Sequence, residues 1–333
     1  MIITRTPFRM SFFGGGTDLP AWYSENGGAV LSTTIDKYCY VSLRKLPPFF
    51  DYKHKIVFFS KQEACNEIDE IEHPAVREIY RYMDVSDGLV MQHDGDLPSH
   101  SGVGSSSAFA VGLLHALYAL KGKIISKKRL ALEAIHIEQE IIGEAVGSQD
   151  QIAVSFGGLN KVVFSANKNI EVNPITIGTS KISLLQDHLM MFFTGFARFS
   201  TEIENDKIFL MNKCYKQLKS MHEMVDQAVE ILNSDSENIE DFGRLLHESW
   251  CYKRTLSAKV SNSDIDEIYT NGMNAGASGG KILGAGGGGF IVFFVKPEFR
   301  EAVKRALHKL LYIPFRFDTL GSQVIYYTEG TIS

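Results

Sequence analysis

The chain carries four cysteines among 333 residues. Cys39, Cys65, Cys214 and Cys251 are scattered, and no two form a Cys-x-x-Cys pair. That pattern excludes a disulfide framework and a cysteine-built zinc site, and suits reduced thiols in a cytoplasmic protein. Long apolar runs are missing too. The longest strongly apolar stretch, Phe290–Val295, is far too short to cross a bilayer. The N-terminal segment, with Arg5 and Arg9 in a strand-like run, does not read as a secretory leader. An excess of positive charge is also absent: 34 Lys and Arg stand against 39 Asp and Glu, a formal net charge of −5. That excludes a nucleic-acid surface but leaves room for a local basic pocket facing an anionic metabolite. No Walker loop occurs, since G-x-x-x-x-G-K-[ST] is found nowhere, and neither an internal repeat nor a low-complexity tract interrupts the chain.

What is present is ordinary globular composition, 44% hydrophobic and 22% charged, in a chain too long for one core. Two domains are expected, 1–185 and 186–333. β-branched and aromatic runs predict strands over 2–6, 29–43, 56–60, 161–164, 188–193, 290–295 and 323–327. Apolar spacing of three and four predicts helices over 75–83, 108–120, 127–142, 202–233, 239–258 and 297–311. The stretch 147–158 reads as a loop or helix start. Strands and helices mix without a regular βαβ spacing, so the expected class is α+β.

Four glycine-marked segments carry the chemistry. Residues 98–109, Pro-Ser-His-Ser-Gly-Val-Gly-Ser-Ser-Ser-Ala-Phe, open directly into a helix. Glycines admit a ligand close to the backbone, and a helix start offers unpaired N–H groups, so the pair makes a phosphate socket. The hydroxyls of Ser105, Ser106 and Ser107 can cap that helix or reach a phosphate oxygen or a magnesium ion. Residues 7–18 run from a strand bearing Arg9 through Gly14, Gly15 and Gly16 to Thr17 and Asp18. Residues 138–151 hold Glu138 on a helix and Asp150 beyond the breaks at Gly143 and Gly147, a pairing suited to a metal ligand and a proton acceptor. Residues 279–290 are the last glycine run. Gly284 to Gly289 formally satisfy G-x-G-x-x-G, yet a strand follows them where a dinucleotide fold needs a helix, and they lie in the last sixth of the chain. Dinucleotide binding is therefore excluded.

In this order the four segments resemble the GHMP family of small-molecule kinases, which includes galactokinase, homoserine kinase and mevalonate kinase. The second segment matches that family's P-x-x-x-G-L-G-S-S-A signature with Val103 for leucine and Ser107 for the first alanine. The resemblance implies an N-terminal ribosomal-protein-like domain and a ferredoxin-like α+β C-terminal domain, with ATP and Mg2+ required. It implies that Gly102, Val103, Gly104, Ser105, Ser106 and Ser107, with Gly286, Gly287 and Gly288 behind them, surround the nucleotide phosphates. Ser106 and Glu138 would hold the metal, Asp150 would be the catalytic base, and Arg9 would steady it. Gly15, Gly16, Thr17 and Asp18 would bind the sugar.

Galactokinases carry Gly-Glu-His-Thr-Asp where this chain has Gly14-Gly-Gly-Thr-Asp18. The form here, with Gly147-Ser-Gln-Asp-Gln151, is similar to the branch acting on D-glycero-D-manno-heptose 7-phosphate. That implies phosphorylation at the anomeric hydroxyl, with Arg198, Lys253 and Arg254 as candidates to clamp the 7-phosphate. A kinase of an unphosphorylated sugar, like L-fucokinase, and a non-catalytic sugar or nucleotide sensor are the alternatives. The expected partners are ATP and a sugar phosphate, with a homodimer compatible, and neither nucleic acid nor membrane.

Overall fold

The computed structural model describes residues 1–167, 169–195, 206, 213–235 and 239–328. Strands β1 (Ile2–Phe13), β2 (Gly28–Lys45), β3 (His54–Phe58), β4 (Lys61–Cys65), β5 (Leu89–Gly95), β6 (Asn160–Phe164) and β7 (Ile170–Pro174) form the first sheet, and β12 (Phe317–Asp318) and β13 (Gln323–Tyr327) return to it. The second sheet holds β8 (Leu189–Phe193), β9 (Ala277–Ile282), β10 (Phe290–Val295) and β11 (Leu311–Ile313) in the order β11-β8-β10-β9. All its pairings are antiparallel. Helices α1 (Pro20–Asn26), α2 (Pro74–Tyr82), α3 (Ser105–Leu120), α4 (Lys127–His136), α5 (Gln149–Phe156) and α6 (Thr179–Asp187) belong to the first half. Helices α7 (Tyr215–Asn233), α8 (Glu240–Thr255), α9 (Ser263–Asn274) and α10 (Arg300–Ala306) belong to the second. No helix among the described residues is long and apolar enough to cross a membrane.

Strand β1 is longer than its sequence signal over 2–6. β1 continues through Pro7 because its register with β2 shifts between Pro7 and Phe8, so the ring displaces no ladder bond. This extension holds Arg9 within the strand, opposite Thr34 of β2. Helix α3 is apolar on nearly every side, with eleven buried residues, and runs as a central rod against β1 and β2. Gly112 lets it approach closely: a Cβ there would lie 3.1 Å from Thr6 Oγ1, and Thr4 Oγ1 donates to Gly112 O at 2.9 Å.

The halves share one core. Phe242 of α8 meets Phe12 and Phe13 of β1 edge-on at centroid distances of 5.4 and 5.1 Å. Buried Lys281 donates to Phe12 O at 2.6 Å.

Several expectations change. The chain beyond residue 313 belongs to the first sheet, which a division at residue 185 does not anticipate. The helix expected over 297–311 is a short turn followed by α10, and Leu311–Ile313 is a strand. The helix expected over 127–142 ends at His136 and passes into a π-helical turn, Ile137–Ile141. Most of 202–212 lies outside the described residues; the helix there is described from Tyr215.

Candidate active site

One cleft gathers residues from all four glycine-marked segments. β1 brings Arg9 in, and its backbone N–H donates to Val103 O at 3.0 Å, docking the 98–104 loop on the strand. Asp150 sits in the first turn of α5, and Arg9 grips it bidentately: Nε to Oδ1 and an Nη to Oδ2, both at 2.7 Å. The same guanidinium donates to Gly102 O. A Cβ on Gly104 would lie 3.3 Å from Asp150 Oδ2, so this carboxylate stands directly against the loop.

The loop itself is built for an anion. Gly104 takes φ +74° and no side chain caps α3, so the serine capping expected as one option does not occur. The first intrahelical bond comes from Ala108 to Gly104 O, which leaves the N–H groups of Ser105, Ser106 and Ser107 outside the helical ladder, at the cleft. Gly102 and Gly284 meet backbone to backbone: a Cβ on Gly284 would fall 2.6 Å from Gly102 Cα. Phe290 N–H also donates to Ser101 O at 3.1 Å, so the two glycine loops form one wall.

The serines differ. Ser106 is exposed. Ser107, turned inward one helical step on, donates to Glu138 Oε2 at 2.9 Å. Thus the serine hydroxyl that meets Glu138 directly is Ser107's. Glu138 is buried one layer behind the cleft wall and also accepts from Gln151 Nε2. Burial pushes its carboxyl up to about 8, against the pull of these two hydrogen bonds.

On the opposite wall, Gly15, Gly16 and Asp18 line the cleft. Gly16 N–H donates to Asp18 Oδ1 at 2.8 Å, and Ser148 N–H to Asp18 O at 2.9 Å. Gly147 must be glycine, since a Cβ would fall 1.9 Å from Asp18 Oδ2.

Some expected residues stand elsewhere. Thr17 is buried, and its hydroxyl donates to Gly14 O at 2.8 Å; it staples the loop and does not line the cleft. Val103 is a core residue with no exposure. Gly286 and Gly288 line the cleft, whereas Gly287 turns away and donates its N–H to Val260 O at 2.8 Å. Lys253 does line it, but its buried ammonium donates to Ile282 O at 3.0 Å and to Gly284 O, pinning the second glycine loop. Arg254, about 100° further round α8, pairs with Asp266 at 2.9 Å and takes no part in the cleft. Arg198 lies outside the described residues.

Two lining residues had no strong sequence signal. Gln149 is the first residue of α5, beside Asp150, and His100 holds φ +55° at the head of the 98–104 loop. A non-glycine residue there is uncommon; only the adjacent Pro98 and Gly102 hint at it in the sequence.

Residues 70–158 match the GHMP kinases N terminal domain, and 228–313 the GHMP kinases C terminal model. A D-glycero-alpha-D-manno-heptose 7-phosphate kinase from Campylobacter jejuni is 32% identical over 319 residues, covering 92% of this chain and 93% of that protein. The chain belongs to the GHMP kinase family. It is a sugar kinase of that family, a phosphotransferase with an alcohol group as acceptor. A galactokinase from Pyrococcus furiosus is 24% identical, covering 92% of each chain. Among solved structures, a D-glycero-D-manno-heptose 1-phosphate kinase from Bacteriodes thetaiotaomicron superposes with a TM-score of 0.80 at 23% identity, covering 99% of this chain and 100% of that one. At that identity the likeness speaks for the fold alone. GHMP kinases draw their phosphoryl group from ATP.

Proposed function

We propose that this GHMP kinase transfers the γ-phosphoryl group of ATP to the anomeric hydroxyl of D-glycero-D-manno-heptose 7-phosphate. The product is the 1,7-bisphosphate, on the route to nucleotide-activated heptose for surface polysaccharide. The observation that carries the reading is Asp150 standing against the phosphate loop in the two-pronged grip of Arg9. The likeness to the Campylobacter jejuni kinase supports the choice of sugar.

In this reading the triphosphate lies along the main chain of Gly102 to Ser106 and the open N–H groups at the start of α3. The anomeric oxygen attacks the γ-phosphorus, its proton passes to Asp150, and the bond from phosphorus to the ADP oxygen breaks. Phosphoryl transfer asks chiefly for position and charge neutralisation. Arg9 serves both ends by aiming the carboxylate and countering charge on the attacking oxygen. Gly15, Gly16 and Asp18 face the sugar. Arg198 is proposed as the clamp for its 7-phosphate.

The residues fit a magnesium ion. Among the described residues no group of three acidic, histidine or cysteine side chains forms a cage. Magnesium takes most of its ligands from phosphate oxygens and water, so one carboxylate and one hydroxyl suffice from the protein. Glu138, buried and pushed toward its neutral form, gains most from a neighbouring positive charge. Glu138 and the exposed Ser106 would hold the ion, which would neutralise phosphate charge when bound.

The decisive experiment is ADP release across hexoses, heptoses and their terminal phosphates. The expected result is strongest turnover with the heptose 7-phosphate. Preference for a free sugar such as L-fucose replaces the substrate, and no ADP release with any sugar removes the catalytic reading.

A further inference from the structure

Asp150 is delivered to the cleft by an irregular stretch, 143–148, and little backbone bonding fixes it. Its own ladder is sparse: Glu144 N–H to Glu138 O, Val146 N–H to Glu144 O and Ser148 N–H to Asp18 O, each at 2.9 Å. Yet Val146, Gly147 and Gln149 line the cleft beside Gly15, Gly16 and Asp18. Something must fix this wall.

The side chain of Gln139 reaches under it. Nε2 donates to Val146 O at 3.0 Å and to Ser148 Oγ at 3.1 Å. A carbonyl can only accept, so the amide nitrogen, and not its oxygen, must face Val146. Ser148 is wholly buried, and its hydroxyl lies 3.2 Å from Tyr23 OH on α1, the helix that follows the Gly14 to Asp18 loop. The strut therefore runs from the π-helical turn, through the 143–148 stretch, to the far wall of the cleft. Adjacent positions on that turn have separate partners: Glu138 accepts from Ser107 at the start of α3, while Gln139 donates to Val146 and Ser148.

We infer that Gln139 is a positioning residue for the sugar half of the site, holding Val146 and Ser148 so that the acceptor is presented to Asp150. It touches neither substrate and acts through the loop. This rests on the sugar-kinase reading of the same cleft.

Two near-isosteric changes test it. Gln139→Glu keeps the shape, deletes both donors and sets a carboxylate against the Val146 carbonyl. Gln139→Met deletes the polarity alone. Both should raise KM for the sugar phosphate about tenfold while KM for ATP stays within about twofold. Ser148→Ala should do the same. A Gln139→Met, Ser148→Ala double variant should then be little worse than either single change, because both break one strut. Equal rises in both KM values, or none, overturn the inference.

A second readout needs no turnover. Amide exchange over 144–149 should quicken in Gln139→Glu, with exchange in β2 unchanged. If it does not quicken, the inference fails whatever the substrate is. If the wild-type protein turns over no sugar, the substrate reading fails, and the exchange measurement still decides the role of Gln139.

Discussion

Asp150 is the residue on which the proposed chemistry turns, and its surroundings set what a substitution should do. Asp150→Asn keeps the shape and an acceptor for Arg9 but can no longer take a proton. Loss of a positioned base lowers rates by about 10²–10⁴-fold. Turnover should fall by that order while ATP affinity stays within a few-fold, if the proposed loop holds the nucleotide; near-normal turnover removes Asp150 from the mechanism. Arg198→Ala should raise KM for the sugar phosphate about tenfold or more and leave KM for ATP little changed, since a lost charge-assisted pair costs about 1.5–3 kcal/mol. Equal effects on both substrates would place the clamp elsewhere. The sequence motifs did bring Arg9, Asp18 and Asp150 to one cleft. Single residues were not legible where only the direction of a side chain separates neighbours. Ser106 and Ser107 are alike in sequence, and Lys253 and Arg254 are both cations, yet one helical step sends each pair to different surroundings.

At the scale of elements, the two glycine loops are the part whose backbone matters most. Gly284 has φ +65° and no space for a side chain against Gly102. Gly284→Ala therefore carries backbone strain and pushes the loops apart, a combined cost of about 1–3 kcal/mol. ATP affinity should drop about tenfold or more in a binding titration with a non-hydrolysable analogue, while KM for the sugar should change little. Unchanged nucleotide affinity would mean that the second loop does not close the phosphate site. Long periodic elements such as β2 and α3 were readable because their burial repeats over many residues. The π-helical turn was not, because one inserted residue leaves the apolar pattern of 127–142 nearly intact. The end of the chain misled for a related reason. Leu307, Leu310 and Leu311 continue a helical spacing, but Leu311–Ile313 meets β8 and gains ladder bonds there. β12 and β13 depend on a sheet edge formed more than 270 residues earlier, which no local pattern reveals.

For the molecule as a whole, acid should weaken the fold before ordinary carboxylates titrate. Four histidines in the first half have pKa values lowered chiefly by burial: His54, His73, His93 and His115, with His93 lowered to about 4. His73 and His93 both pack on Phe109 of α3, and His54 is fully buried beside Tyr80. The native state keeps these rings neutral while the unfolded chain protonates them near their ordinary value. Below about pH 6.5 the unfolded state then binds more protons, and stability falls by up to about 1.4 kcal/mol per pH unit for each ring still neutral. Glu138 works in the opposite sense. Its raised carboxyl binds a proton in the native state before the unfolded chain does, so it adds stability as pH falls from about 8 toward its ordinary value of 4.5. Glu144, also raised by burial, acts in the same sense, and these two groups cannot offset four histidines. The urea midpoint should therefore drop between pH 6.5 and 5, and His93→Gln, which cannot be charged, should make that dependence shallower by up to one proton. A flat midpoint across this window would mean that the histidines are hydrated in the folded protein. The phosphate-loop helix would then rest on a looser core than the ring contacts around Phe109 imply.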